Sequence, residues 1–210
     1  MNDIDDLILR YPALSVCREQ IQTAFEILSK AYRHKKKLLV CGNGGSASDS
    51  EHIVGELMKE FSIRRPLDSQ MKEKLKNAGD EDGMLSENLQ GALPAITLTG
   101  NCALSTAYAN DAVPILNFAQ QVFGYGTEDD VLLGISTSGN SQNIIYAIKT
   151  AKAKGMHVIG LTGKSGGCMK ELCDVAICVP ETETYRIQEL HLPVYHCLCL
   201  MIEEEFFGKG

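Results

Sequence analysis

Two glycine- and serine-rich segments of this chain have the composition of anion-binding turns. One runs from Gly42 to Ser48 and the other from Ser136 to Ser141, and each lies between a short apolar run and an amphipathic stretch. A strand-to-helix turn of this kind directs unpaired backbone N–H groups at an anion, and the helix dipole adds partial positive charge. The two segments therefore predict binding of a phosphorylated small molecule.

The residues that these turns lack narrow the class of ligand. Neither turn has the GxxxxGK[ST] pattern of a nucleotide-binding loop or the GxGxxG pattern of a dinucleotide fold. In the second turn, hydroxyl groups take the place of the lysine of the nucleotide-binding loop. One terminal phosphate could accept hydrogen bonds from four of them, those of Ser136, Thr137, Ser138 and Ser141. This pattern favours a sugar phosphate over ATP or NAD. The alternative is that both turns merely separate strands from helices.

Candidate acid–base residues follow the first turn. His52 and Glu56 are four residues apart on a predicted helix, so both side chains project from one face. A catalytic pair or a metal-binding pair needs this spacing, although such pairs are most often surface contacts. Because the predicted phosphate turn lies immediately upstream, we expect the pair at the same end of the sheet as that turn.

The predicted C-terminal helix carries a second group of polar residues in an otherwise apolar stretch. These are Gln188, Glu189, His191 and His196. Pro193 lies inside this helix and should kink it or remove a backbone hydrogen bond. The spacing therefore leaves open whether Gln188 or Glu189 shares a face with His196.

Apolar runs and amphipathic stretches alternate along the chain in the manner of a doubly wound α/β domain. Continuous apolar strands separated by helices indicate a parallel sheet of about five strands that is covered on both faces. Ligands bind such sheets at the carboxyl ends of the strands, where both turns are predicted to lie. The predicted strands are 37–41, 95–98, 131–135, 158–161 and 175–179, and the predicted helices are near 15–34, 47–60, 102–124, 141–154, 166–172 and 184–207.

One segment interrupts this alternation. Residues 62–94 are mostly polar and contain no clear strand, and the segment is far longer than an ordinary connection in an α/β domain. A short helix is possible around Met71 to Leu75, but Gly79 and Gly83 limit its length. The composition favours a solvated insertion over an active-site lid.

Length and composition limit the class of protein. A chain of 210 residues with 44% hydrophobic residues can form one domain with a sizeable core. Its acidic first residues do not resemble a signal peptide, and no apolar run is long enough to span a membrane, so we expect a cytoplasmic protein without a membrane partner. The net charge of −7 argues against binding along nucleic acid. None of the eight cysteines forms a CxxC pair.

Taken in order, several motifs resemble those of the sugar-isomerase (SIS) superfamily. The resemblance covers nearly the whole chain except residues 62–94. The motifs are Cys41-Gly42-Asn43-Gly44-Gly45-Ser46, then His52 and Glu56, Asn110-Asp111, Leu133-Gly134-Ile135-Ser136-Thr137-Ser138-Gly139-Asn140-Ser141, Leu161-Thr162-Gly163-Lys164 and Arg186-Ile187-Gln188-Glu189-Leu190-His191.

This resemblance implies a single SIS domain over residues 1–210, in a flavodoxin-like arrangement with an N-terminal helical segment. It implies an aldose–ketose isomerase for a phosphorylated sugar, with sedoheptulose 7-phosphate as the expected substrate and a lipopolysaccharide-core heptose precursor as the expected product. The resemblance further implies a homotetramer with active sites between subunits and one zinc ion per subunit.

The resemblance also assigns roles to residues of this chain. Glu56 matches the catalytic carboxylate of the family and His196 its catalytic imidazole. The implied zinc ligands are His52, Glu56, Gln188 and His196. The implied substrate-binding residues are Asn43, Gly44, Gly45, Ser46, Glu56, Asn110, Asp111, Ser136, Thr137, Ser138, Ser141 and Gln188.

Two other functions are compatible with the same motifs. The superfamily contains a non-catalytic scaffold that binds the bacterial replication initiator, and it contains sugar-phosphate sensors with a separate effector domain. Retention of both Glu56 and His196 favours an enzyme over the scaffold. Tyr185 stands where the family motif has an aspartate, and residues 62–94 exceed the usual connection, so an isomerase for another sugar phosphate remains an alternative.

Overall fold

A computed structural model describes residues 3–208 of the chain, and its centre is a five-stranded parallel sheet. The strand order is β2-β1-β3-β4-β5, which confirms the predicted doubly wound arrangement. The strands are β1 (Leu38–Gly42), β2 (Ala95–Thr97), β3 (Val131–Ser136), β4 (His157–Thr162) and β5 (Val175–Cys178). Strand β1 therefore lies between β2 and β3, and the chain reverses its direction of winding there.

Helices cover both faces of the sheet, as the apolar strands predict. Along β1, Leu38 and Val40 pack into the core on one face, whereas Leu39 and Cys41 pack into the core on the other. The first face is covered by α1, α2, α3 and α10, and the second by α7, α8 and α9. The helices are α1 (Asp3–Arg10), α2 (Arg18–Arg33), α3 (Gly45–Met58), α4 (Ser69–Asn77), α5 (Met84–Asn88), α6 (Cys102–Asp111), α7 (Asn117–Tyr125), α8 (Gln142–Ala153), α9 (Met169–Leu172) and α10 (Thr184–Phe207).

Two predicted helices differ from those in the structure. The helix expected over 102–124 is divided into α6 and α7 by a 3-10 turn that begins at Pro114. Proline disfavours the helical conformation of the residue before it, and Val113 is accordingly extended. The helix expected over 166–172 begins only at Met169, because Gly166 and Gly167 have positive φ angles. By contrast, α10 continues through the buried Pro193.

The polar segment between α3 and β2 forms a small helical hairpin, α4 and α5, that packs mainly on itself. Asp68 caps α4 by accepting a hydrogen bond from the Met71 backbone N–H at 2.7 Å. The buried Asp80 accepts from two backbone N–H groups at the start of α5. A short antiparallel bridge between Pro66 and Gln90 closes the base of the hairpin. Sequence analysis did not predict this hairpin.

None of the helices within residues 3–208 has the length and apolar character needed to cross a membrane.

Candidate active site

The two predicted phosphate turns lie side by side at the carboxyl edge of the sheet. Strands β1 and β3 are neighbours, with Gly42 aligned to Ile135 at their ends. Asn43 in the first turn and Asn143 in α8 exchange side-chain amide hydrogen bonds of 2.8 and 3.0 Å. The two turns flank the point where the strand order reverses, which is the usual ligand site of an open α/β sheet.

The second turn gathers hydroxyl groups at the N-terminus of α8. Ser136 Oγ lies 3.0 Å from Ser141 Oγ and 3.5 Å from Ser138 Oγ. Ser138 Oγ accepts a hydrogen bond from the Asn140 backbone N–H at 3.1 Å. Gly139 has a φ angle of 66°, and a Cβ at this position would overlap the Gly166 main chain. The hydroxyl groups and the helix N-terminus together can bind a compact anion.

The first turn contacts the C-terminal helix. Gly44 has a φ angle of 55° and precedes α3. A Cβ on Gly45 would lie only 2.5 Å from Gln188 Nε2, so the Gln188 amide rests directly on this turn. Glu189 is exposed. Of the two candidates, Gln188 is thus the one that contacts α3, as Tyr195 and His196 of the same helix also do.

Further along α3, a carboxylate and two imidazoles lie together. His52 Nε2 is 3.1 Å from Glu56 Oε1, and Lys59 Nζ is 3.3 Å from Glu56 Oε2. The His196 ring is nearly perpendicular to the His52 ring, with 5.0 Å between ring centroids. His196 Nε2 is buried and has no hydrogen-bond partner among the described residues. Burial, with His52 nearby, lowers the pKa of His196, which favours the neutral imidazole.

Asp49 and Tyr195 contact this cluster on the Nδ1 side of the His52 ring. Tyr195 Oη donates to Asp49 Oδ1 at 3.3 Å and lies 3.0 Å from His52 Nδ1. Burial and the Asp49 carboxylate raise the pKa of Tyr195, so the phenol keeps its proton. Sequence analysis missed both residues. Asp49 lies three residues before His52 and so on the same helix face, whereas no spacing rule connects Tyr195 to α3.

Glu56 does not lie at the same end of the sheet as the turns, so the expected position of the His52–Glu56 pair is wrong for Glu56. Glu56 lies eleven residues after Gly45, which is about 16 Å along the axis of α3. The adjacent Leu57 carbonyl accepts from the Leu93 N–H just before β2 begins, which marks the amino edge of the sheet. The physical reason is that α3 runs back along the sheet, antiparallel to the strand it follows.

Two other predicted residues lie apart from both groups. Asn110 and Asp111 are exposed at the end of α6, where Asn110 Nδ2 donates to Asp111 Oδ1 at 2.7 Å. Within residues 3–208, no hydrogen bond connects them to either turn. Tyr185 is also exposed, and its hydroxyl accepts from Arg186 Nε at 3.0 Å.

The donor atoms around Glu56 are of types that bind zinc, although within residues 3–208 they do not form a complete coordination site. Imidazole nitrogen and carboxylate oxygen are common zinc ligands, and tetrahedral zinc separates two such donors by about 3.3 Å. His52 Nε2 and Glu56 Oε1 have nearly this separation, and the buried His196 Nε2 lacks a partner. In the described part of the chain, no three His, Cys, Asp or Glu side chains are arranged around a common metal position.

Comparison with known proteins identifies clear relatives. The model of the SIS domain matches residues 13–91 and 83–163. A phosphoheptose isomerase from Clostridium acetobutylicum is 42% identical over 191 residues, which span 91% of this chain and 85% of the relative. Phosphoheptose isomerase 2 from Campylobacter jejuni is 42% identical over 181 residues, or 86% of this chain and 78% of the relative.

Solved structures give the same result. The phosphoheptose isomerase GmhA from Neisseria gonorrhoeae superposes with a TM-score of 0.74 at 33% identity, covering 96% of this chain and 95% of the other. A phosphoheptose isomerase from Francisella tularensis superposes with a TM-score of 0.71 at 31% identity, covering 97% of this chain and all of the other.

Proposed function

Because this chain belongs to the SIS domain family and is a phosphosugar isomerase, we propose that it converts sedoheptulose 7-phosphate to D-glycero-D-manno-heptose 7-phosphate. The observation that most directly supports this reaction is the acid–base cluster. Glu56 Oε1 lies 3.1 Å from His52 Nε2, beside a buried His196 Nε2 without a partner. The names of the relatives support the heptose substrate.

The reaction requires movement of one proton between adjacent carbon atoms. A base removes a proton from the carbon beside the carbonyl group, an enediolate forms, and the proton returns to the neighbouring carbon. We assign the base to the Glu56 carboxylate, which is mostly buried. We assign His196 to proton transfer at the substrate oxygens, because a neutral imidazole can both donate and accept a proton.

The substrate phosphate belongs at the second turn in this proposal. The hydroxyls of Ser136, Ser138 and Ser141 converge there, and Thr137 lies between them in the chain. Hydrogen bonds to a charged group contribute about 1.5–3 kcal/mol each. Asn43, Gly44, Gly45 and Ser46 are proposed to contact the sugar, together with Asn110 and Asp111.

We further propose that zinc binds to His52, Glu56, Gln188 and His196, as their donor types suit this ion. Because Gln188 contacts Gly45, about 16 Å along α3 from Glu56, its amide in this site would come from a neighbouring subunit. When bound, zinc supplies Lewis-acid polarisation of the carbonyl group and stabilises developing negative charge. Tyr195 and Asp49 orient the His52 ring from its Nδ1 side.

The position of Glu56 supports active sites that are shared between subunits. Within one chain, the phosphate turn is at the carboxyl edge of the sheet, while Glu56 lies at the level of the amino edge. A neighbouring subunit packed against the α3–α10 surface could bring its own turn to this Glu56. We therefore propose a homotetramer in which each site takes residues from more than one subunit.

The test of this function is conversion of sedoheptulose 7-phosphate by the purified protein, with and without added zinc. Glu56→Gln should lower turnover by about 10²–10⁴-fold, the usual contribution of a general acid–base group. The matched control is Glu51→Gln, which makes the same change on an exposed part of α3 and should leave turnover unchanged.

Exchange of the carbon-bound proton with solvent is measured in parallel, because it reports the first proton transfer directly. Wild-type turnover in Glu56→Gln would refute the assignment of the base. If the protein leaves sedoheptulose 7-phosphate unchanged but another sugar phosphate raises its melting temperature, the substrate is that other sugar. The exposed Tyr185 and the added hairpin make this the second candidate.

A further inference from the structure

Arg65 and Glu203 form an ion pair that is completely buried. Arg65 Nη2 lies 2.7 Å from Glu203 Oε1, Arg65 Nε lies 2.8 Å from the same oxygen, and neither side chain is exposed. Such a pair rarely stabilises a protein more than well-packed apolar residues would, because both charges lose their hydration. Its presence in the core therefore calls for a role other than stability alone.

The remaining donors of Arg65 contact the end of the helix that carries Glu56. Arg65 Nη1 donates to the Leu57 carbonyl at 2.8 Å, and Nη2 donates to the Glu56 carbonyl at 3.0 Å. Both carbonyls lie in the last turn of α3, where no intrahelical donor is available. The Phe207 ring packs over the guanidinium group at 4.6 Å. Arg65 thus fixes the backbone of the residue that we assign as the base.

Glu203 connects this helix end to α10. Its carboxylate accepts hydrogen bonds from the backbone N–H groups of Phe61, Ser62 and Ile63, at 2.8, 2.7 and 3.1 Å. Glu203 lies seven residues after His196 and therefore on the same face of α10, two turns away. The ion pair consequently joins the helix that carries Glu56 to the helix that carries His196.

We propose that Arg65 and Glu203 are positioning residues for the isomerase reaction, which set the location of Glu56 relative to His196. This inference rests on the proposed role of Glu56. Neither side chain reaches the substrate, since both are buried, so their effect is on geometry. A displacement of about 1 Å at a catalytic group can lower a rate by about 100-fold.

The test compares Arg65→Lys with two other variants. Lysine retains the charge beside Glu203 but lacks the planar set of donors that reaches both carbonyls. We expect kcat to fall by about 10- to 100-fold, with KM and the affinity for inorganic phosphate unchanged. Phe207→Leu is a milder perturbation that removes the ring over the guanidinium group without altering the ion pair, and we expect a smaller fall in kcat.

The control for lost stability is Asp130→Asn, which breaks the Lys37–Asp130 ion pair just before β1 and β3, a pair that contains neither Arg65 nor Glu203. Its kcat per folded molecule should equal that of the wild type. If Arg65→Lys and Phe207→Leu also retain wild-type kcat below their melting temperatures, the inference is wrong. If the wild type fails to convert sedoheptulose 7-phosphate, the proposed function fails instead, and the premise of this inference fails with it.

Discussion

Replacing Gly45 with alanine should reduce activity without unfolding the protein. Gly45 is the first residue of α3 and does not have a positive φ angle, so alanine can adopt its backbone conformation. The new Cβ would, however, lie 2.5 Å from Gln188 Nε2, where ordinary contact begins at 3.4 Å. The Gln188 amide must therefore move by about 0.9 Å, a displacement large enough to impair a catalytic arrangement.

The two energetic effects of this substitution nearly cancel. Alanine is favoured over glycine in a helix by about 0.5–1 kcal/mol. Forcing the Gln188 side chain away from its preferred rotamer costs about 0.5–1.5 kcal/mol. We therefore expect the free energy of unfolding to change by less than about 1 kcal/mol, while kcat falls by up to about 100-fold.

Gly55→Ala is the matched control. Gly55 lies in the same helix, and apart from its chain neighbours and the adjacent helix backbone, no atom of residues 3–208 lies within 4 Å of the position that its Cβ would take. This variant should gain about 0.5–1 kcal/mol of stability with normal turnover. Chemical denaturation gives the free energies of unfolding, and steady-state kinetics with sedoheptulose 7-phosphate gives kcat and KM.

The difference between the two variants isolates the contact between Gly45 and Gln188. Gly45→Ala with wild-type kcat and KM would refute a role for Gln188 at the first turn. Equal loss of activity in Gly55→Ala would show instead that α3 tolerates no change of backbone flexibility. A large loss of stability in Gly45→Ala alone would show that Gln188 cannot move aside, contrary to the reasoning above.

Two further substitutions test the surroundings of the site. Tyr195→Phe removes the hydroxyl beside His52 and should lower turnover or zinc affinity by about 10–100-fold. Tyr32→Phe removes a buried hydroxyl that has no hydrogen-bond partner within residues 3–208, and it should be neutral or stabilising. Kinetics, zinc titration and thermal unfolding distinguish the two variants. Burial alone would raise the pKa of Asp130, but hydrogen bonds from Lys37 and Thr127 lower it below 3.8. Asp130→Asn should therefore lower the free energy of unfolding by about 1.5–3 kcal/mol at pH 7, and this difference should shrink as the pH falls below 3.8, as denaturation at several pH values would record.

The fold could be predicted from the sequence because its strands are short, apolar and regularly separated by helices. Each predicted strand is present to within one or two residues of its expected bounds. Helix ends were less predictable, since they depend on single residues. Pro114 divides a helix that periodicity alone would continue, whereas α10 continues through Pro193, because burial of this part of the helix offsets the loss of one backbone donor.

The site was only partly predictable. The spacing of His52 and Glu56 correctly indicated a shared face, since a helix imposes that geometry locally. The contacts of Tyr195 with Asp49, and of Arg65 with Glu203, join residues more than 130 positions apart. These contacts arise only when α3 and the segment that follows it pack against α10, and neither part of the chain alone carries a signal for them.

Because the two ends of the α4–α5 hairpin lie next to each other, another polypeptide segment can be inserted at this position. The backbone leaves the domain at Pro66 and returns beside it at Gln90. The positions of these two residues are therefore the same for any segment that connects them. Loop-closure entropy rises only slowly with length, and exposed sites of this kind tolerate inserted sequence. An affinity tag or a fluorescent reporter could therefore replace the hairpin while the ends of the segment at Pro66 and Gln90 stay in place.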